Sequence, residues 1–327
     1  MMRVTRAEEL IMNEPQARRS WSVGRVIGIV LLIASTSALS GVPATGAVKQ
    51  RTFASIDDAA RALVDAVKTG NHKEMLAILG ENGKGIVWSG DEVSDKRGRE
   101  RFVTAWDEQH HFEAGGGKVV MVLGRDNFPF PIPLVPDGPS WRFDTAAGKD
   151  EILNRRIGRN ELNTIQTCLA YVDAQREYYA RDPQGTRLLQ YAQKFASSPG
   201  KRDGLYWATK AGEAPSPLGP LVARARGEGY SKRSSGPVAY WGYYYRILTA
   251  QGKDATGGAY DYVAHGHLIG GFAMVAFPAE YGVSGVMTFL VNQDGVVYQK
   301  DLGPQTESIA RAMKQFNPDN TWEKVKL

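Results

Sequence analysis

The segment that most constrains this chain is Tyr240 to Asp301, read together with the helix ahead of it. YWGYYYRILTAQG and AYDYVAHGHLIGGFAMVAFPAEYGVSGVMTFLVNQDGVVYQKDLG run apolar, or alternate, in strand-length pieces broken by Gly, Asn and Asp. Strands are expected over 240–250, 259–264, 268–277, 284–291 and 295–300, with Gln293-Asp294-Gly295 as the hairpin turn between the last two. Upstream, residues 149–182 read as one long amphipathic helix whose buried stripe holds Leu153, Ile157, Leu162, Ile165, Leu169, Val172 and Tyr179. Between helix and sheet, residues 183–238 form an irregular excursion punctuated by Ser-Pro-Gly, Pro-Ser-Pro and Gly-Pro. A short helix over 305–316 closes the chain. A long helix followed by an antiparallel meander places the protein in the α+β class.

Residues 48–148 read as a separate, smaller α+β domain, with the boundary to residues 149–327 marked by the start of the long helix. Ser55 caps a helix that ends at Gly70, Asn71 caps a second that stops at Gly80, and a third is expected from Lys96 to Phe112, ended by Gly115-Gly116-Gly117. Three strand-like pieces come next, at 118–124, 127–135 and 140–145. In the middle piece Pro129, Pro131 and Pro133 alternate, so the missing N–H groups fall on one edge while Phe128, Phe130, Ile132 and Leu134 face the other way. That pattern predicts an edge strand or polyproline segment with one apolar face. Helices first and a curved sheet after resemble a small cystatin-like or nuclear-transport-factor-like cone.

At 327 residues, with 43% hydrophobic and 23% charged residues, the chain has the composition of a soluble globular protein. Its N-terminus has a different character. Arg18, Arg19 and Arg25 precede an apolar run, Val26 to Ala34, and small residues then offer cleavage after Val42-Pro43-Ala44 or Thr45-Gly46-Ala47. This is the layout of a secretory signal peptide over 1–47, read from a start at Met1 or Met12. An uncleaved anchor is the other reading, but the run is short for a membrane span. Cleavage near Ala44–Ala47 leaves a periplasmic or secreted protein. Residues 1–47 carry five Lys/Arg and three Asp/Glu, so the net charge falls from +5 to +3. Nucleic acid is not an expected partner at that charge.

The blocks PFPIPLV, WRFDTAAGKDEILNRRIGRNEL, YVDAQREY, KRDGLYW, SPLGPLV, GYYYRILTAQG, IGGFAMVAFPAEYG and SGVMTFLVNQDGVVYQKDLG together resemble the bacterial family catalogued as domain of unknown function 2950. The resemblance covers about Thr52 to Trp322 and brings no activity with it. A second resemblance joins RNELNTIQTCLAYVDAQREYYARD, GYYYRIL, GGFAMVAFP and SGVMTFLVNQDGVVY. In that order they are similar to the periplasmic part of type IV pilins and type II secretion pseudopilins. That similarity implies a shared fold and an envelope-assembly role, with an envelope protein as partner. Pilins join a cleavable leader directly to an apolar helix, whereas here a whole domain intervenes.

Catalytic patterns are sparse. Ser198-Pro199-Gly200-Lys201 matches S-x-x-K and Lys68-Thr69-Gly70 matches K-T-G, but their order is reversed and Pro-Gly breaks the turn that brings Ser and Lys together. The lone Cys168 excludes an intrachain disulfide or multi-thiolate metal site and reads as a core residue. His265 and His267 are a weak metal pair that lacks a third nearby ligand. No cofactor is implied. Arg155, Arg156 and Arg159 suit either local ion pairs or an anionic ligand. Trp241, Tyr243 and Tyr245 on one face of a strand suit either core packing or a sugar-stacking platform. The expected function is an exported, non-catalytic interaction or assembly factor of the envelope. A periplasmic small-molecule or glycan-binding protein is the alternative.

Overall fold

The computed structural model describes residues 49–231 and 237–326. The expected signal peptide lies outside the described residues. Capping residues set the first helices. Ser55 accepts from the Asp58 N–H to start α1 (Ile56–Lys68), and Asn71 accepts from the Glu74 N–H to start α2 (His72–Leu79). A single turn, α3 (Lys84–Val87), precedes α4 (Glu92–Glu108), which Asp91 caps.

The third helix therefore begins four residues before the expected Lys96 and stops four before Phe112. A hairpin sets that end. Gly116 and Gly117 both take positive φ and turn β1 (His110–Gly115) back onto β2 (Lys118–Leu123), so the glycine run is a hairpin turn and not a helix stop. The proline-rich piece also departs from expectation. It enters the sheet as two short strands, β3 (Phe128–Pro129) and β4 (Leu134–Asp137), both antiparallel to β2, with Pro131 and Pro133 in the gap. Only β3 is on an edge. β4 lies between β2 and β5 (Ser140–Phe143); its pairing with β2 is at Leu134 opposite Val119, ahead of Pro136, which has no N–H to give that strand. Ile132 and Leu134 are fully buried, while Phe128 is exposed.

The long helix, α5 (Thr145–Arg181), starts four residues earlier than expected. A Cβ at Gly148 would come within 2.2 Å of the Pro131 carbonyl oxygen, so only glycine lets the first turn lie against the proline segment. The first half of α5 packs on α3 and the second half on the C-terminal sheet. Beyond it lie the short α6 (Gly219–Gly227) and then the strands. These are β6 (Tyr243–Leu248), β7 (Ala250–Gln251), β8 (Tyr260–Asp261), β9 (Val263–Ala264), β10 (His267–Leu268), β11 (Ala273–Pro278), β12 (Met287–Asn292) and β13 (Tyr298–Asp301). After α7 (Thr306–Ala312) come β14 (Gln315–Phe316) and β15 (Glu323–Lys324). The closing helix is shorter than expected because residues 315–316 leave it to pair, in parallel, with β7.

The larger C-terminal sheet runs β15-β13-β12-β11-β6, antiparallel throughout. The expected strand over 240–250 is cut at both ends, by a tight turn at 241–242 and by a break at Thr249. Two hydrophobic clusters form. One lies between α1, α2 and the N-terminal sheet, around Ile78, Met121, Ile132 and Phe143. The other lies between the second half of α5 and the C-terminal sheet, around Tyr171, Tyr178, Tyr243, Phe272 and Phe289. Cys168 sits in the second cluster with no exposure, and burial pushes its thiol up to about 12. The described residues form one compact unit and have mixed helices with antiparallel sheets, the α+β class. None of their helices is long and apolar enough to cross a membrane.

Candidate functional site

The site is built on one carboxylate. Asp91, 2% exposed, starts α4 by accepting the Ser94 N–H at 3.0 Å through Oδ1. Its Oδ2 accepts the Tyr230 hydroxyl at 2.7 Å and the Gly242 N–H at 2.8 Å. The Tyr230 oxygen in turn accepts the Trp241 N–H at 3.2 Å. Three distant pieces of chain are thus tied at one point. Burial pushes the Asp91 carboxyl above its usual range, and these hydrogen bonds pull it back.

What the carboxylate holds is a two-residue turn. Tyr240 and Tyr243 exchange both backbone hydrogen bonds, at 2.9 and 3.2 Å, and the residues between them have φ of +52° (Trp241) and +74° (Gly242). Positive φ at both central positions is the type I′ signature, which favours Asn-Gly and disfavours a bulky first residue. Glycine is needed second, since a Cβ there would stand 2.5 Å from Asn160 Nδ2 and 3.0 Å from Ser284 Cβ. A tryptophan in the left-handed region costs about 1–2 kcal/mol, which the surrounding contacts offset.

Two guanidinium groups flank the Trp241 ring. Arg97 of α4 lies 5.4 Å from its centre and Arg224 of α6 lies 5.9 Å away. Glu228, just past α6, joins both, at 3.3 Å to Arg97 and 3.1 Å to Arg224. The indole N–H stands beside the Tyr240 hydroxyl, and neither makes a well-formed hydrogen bond among the described residues.

Beyond Arg97, the guanidinium groups of Arg101, Arg156 and Arg159 gather close together. Arg101, one turn further along α4, and Arg159 of α5 have no ion pair or side-chain hydrogen bond among the described residues. Desolvation first, and then Arg101, Arg156 and Arg97, lower the Arg159 pKa; desolvation and then Arg97 lower that of Arg101. Both residues are exposed, so water screens the repulsion and only its direction is meaningful. Arg97, Glu100, Arg101, Thr104, Ala105 and Glu108 line an open depression of about 370 Å³ here. The site is therefore an arginine surface beside a rigidly presented tryptophan. Chemically, it can hold an anion by charge and stack a planar or ring-shaped group.

The residues singled out from sequence divide. Arg159 and Trp241 come to this site, joined through Arg97. Arg155 does not; it pairs with Glu151 at 2.5 Å and lies 5.0 Å over the Phe128 ring. Arg156 turns inward and donates to the carbonyls of Gly85 at 2.5 Å and Ile86 at 2.7 Å, satisfying orphan acceptors at the end of α3. Tyr243 is fully buried, and its hydroxyl donates to Met287 O at 3.0 Å. Tyr245 is half-buried against α5, its hydroxyl 3.3 Å from Thr164 Oγ1. Burial pushes both phenols up. No shared aromatic face exists, since Trp241 lies in the turn and the two tyrosines face the helix.

His265 occupies a turn at φ +50°, and His267 Nδ1 lies 2.9 Å from Gln190 Oε1. Among the described residues no three His, Cys, Asp or Glu side chains are grouped to hold a metal. The Ser198 hydroxyl meets Lys194 and Asp203, each at 2.9 Å, and makes no contact with Lys201. Asp91, Arg97, Arg101, Arg224, Tyr230 and Glu228 were not singled out. One signal was available: Arg97 and Arg101 are like charges at i,i+4, an arrangement that weakens a helix unless something else uses it.

An α+β protein with an arginine-and-tryptophan surface is the class that fold and site define. The family model described as Protein of unknown function (DUF2950) matches residues 50–325, and the chain belongs to that family. Comparison with curated proteins and with solved structures gives no match.

Proposed function

We propose that this chain is an exported binding protein of the cell envelope that acts by contact, and that its arginine surface takes a carboxylate- or phosphate-bearing partner. The observation that carries the reading is the convergence of Arg97, Arg101 and Arg159 from two helices beside Trp241, with Arg101 and Arg159 left without an anionic partner among the described residues. Export rests on the basic and apolar pattern of residues 1–47. The assembly role suggested by the pilin resemblance is supported by the second half of α5 lying along β11 and β12. The cone-like reading of residues 48–148 is supported by helices packed on one face of a short antiparallel sheet.

The test is a thermal-shift titration of the mature chain with citrate and with pyrophosphate at low salt, set beside the double variant Arg101→Glu/Arg159→Glu. Binding to the folded state raises Tm by mass action, and two charge reversals on exposed side chains should abolish that rise without lowering the starting Tm. An equal rise in the double variant, or none in the parent chain, would sink the reading.

A further inference from the structure

A second cleft of about 370 Å³ lies on the other side of α6, lined by Tyr206, Trp207, Thr209, Pro215, Ser216 and Arg226 among others. We propose that it binds the carboxylated ring of an acidic sugar. The volume is that of a small-molecule site and holds one or two sugar rings.

Four observations converge there. First, Tyr206 and Trp207 are half-buried and supply aromatic walls, with Pro215 and Pro220 closing the cleft. Second, Arg226 lies 5.3 Å over the Tyr206 ring and Arg202 5.5 Å over the Trp207 ring. Arg226 lines the cleft and has no acidic partner among the described residues, so one cation stands ready for a carboxylate, with Arg202 nearby on the Trp207 ring. Third, Ser216 lines the cleft, is 2% exposed, and its buried hydroxyl has no partner among the described residues. A buried hydroxyl left unpaired costs stability, and a ligand hydroxyl would offset that cost.

The fourth is the main chain. Tyr206 is fixed by exchange with Phe195 and Ser197, and Leu205 by Lys194 and Leu218. Trp207, Ala208 and Thr209 make no backbone hydrogen bond among the described residues, so their N–H and C=O groups are free at the mouth of the cleft. Aromatic walls ringed by many separate polar groups match a polyhydroxylated ring, whose C–H faces stack while its hydroxyls bond outward. A proline-rich peptide would use the walls but leave most of the polar groups unanswered.

This cleft is independent of the Trp241 surface, although α6 carries a residue to each: Arg224 to Trp241 and Arg226 to Tyr206. The test is saturation-transfer NMR on the mature chain with D-glucuronate as probe, D-glucose as the neutral analogue and an acidic proline-rich peptide as competitor. Saturable transfer to glucuronate is expected, at least tenfold tighter than to glucose. Arg226→Ala should remove that preference, Trp207→Ala should abolish binding, and Arg159→Ala should change nothing. Arg226 and Trp207 are partly exposed, and circular dichroism of each variant verifies folding. No saturable transfer to glucuronate overturns the proposal. So does binding that survives both substitutions, or peptide binding without glucuronate binding. Loss of glucuronate binding in Arg159→Ala alone would assign it to the Trp241 surface and overturn it as well.

Discussion

Arg156 and Arg159 stand one turn apart on α5, and Trp241 and Tyr243 stand two residues apart at the head of β6, yet each pair is split between two regions. Arg156 and Tyr243 belong to the interior: one commits its guanidinium to the carbonyls of Gly85 and Ile86, the other is sealed against Phe289 and the Met287 carbonyl. Arg159 and Trp241 belong to the surface, where one has no partner among the described residues and the other occupies a backbone region that tryptophan disfavours. These two interior groups meet their polar demands nearby. The surface leaves demands open and is strained besides. That asymmetry separates residues that make the fold from residues the fold displays.

The largest break in this comparison should come from Asp91, which serves both regions. Asp91→Ala strands the Tyr230 hydroxyl and the Gly242 N–H in buried positions and removes the cap of α4. A loss of about 4 kcal/mol is expected from two unpaired buried donors and a lost cap. Urea unfolding checks it; a loss under about 1 kcal/mol would show that the turn does not depend on the carboxylate.

The same residue gives a pH signature. Because burial raises its pKa, the folded state holds this proton more tightly than the unfolded chain does. Its contribution is therefore greatest below about pH 4 and declines as pH rises through the raised value. In Asp91→Asn that part of the slope should vanish.

A smaller break is expected at Arg156. Arg156→Met keeps the stem but leaves two carbonyls at the end of α3 without their charged donor. The expected cost is about 2 kcal/mol, read from the urea midpoint, with anion binding retained. The reverse pattern, intact stability and lost binding, would move Arg156 from the interior to the site.

The parts legible in the sequence were those with strong local periodicity. The stripe on α5 and the apolar runs of β11 and β12, buried almost throughout, placed the helix and the sheet, although Leu162 of the expected stripe is exposed. Boundaries failed where two local meanings competed. Gly115-Gly116-Gly117 serves as helix stop or I′ turn with equal ease, and only pairing with β2 selects the second. Alternating prolines imply a strand edge, but not that Leu134–Asp137 rejoins the sheet one residue beyond Pro133. The site was less legible still. Asp91, Tyr230 and Gly242 are separated by 139 and 151 residues in their hydrogen bonds, and no short-range pattern encodes such a meeting. Trp241 was noticed for the wrong reason, as a strand residue, because nothing in Tyr-Trp-Gly-Tyr announces a turn when tryptophan takes the place of asparagine.

That substitution is also the smallest and sharpest test. Asparagine at 241 suits a type I′ turn, so Trp241→Asn should recover about 1–2 kcal/mol of left-handed strain. Against this it gives up the half-buried indole, on the order of 100 Å² of apolar contact, or roughly 2.5 kcal/mol. The two nearly cancel, and a net loss near 1 kcal/mol is expected in urea unfolding. A loss that small, in a turn that favours another residue, would support the proposal that the ring is held there for what it meets outside the fold. A loss above about 3 kcal/mol, the size of a core aromatic deletion, would instead place Trp241 with Tyr243 in the interior and erase the distinction between the two regions.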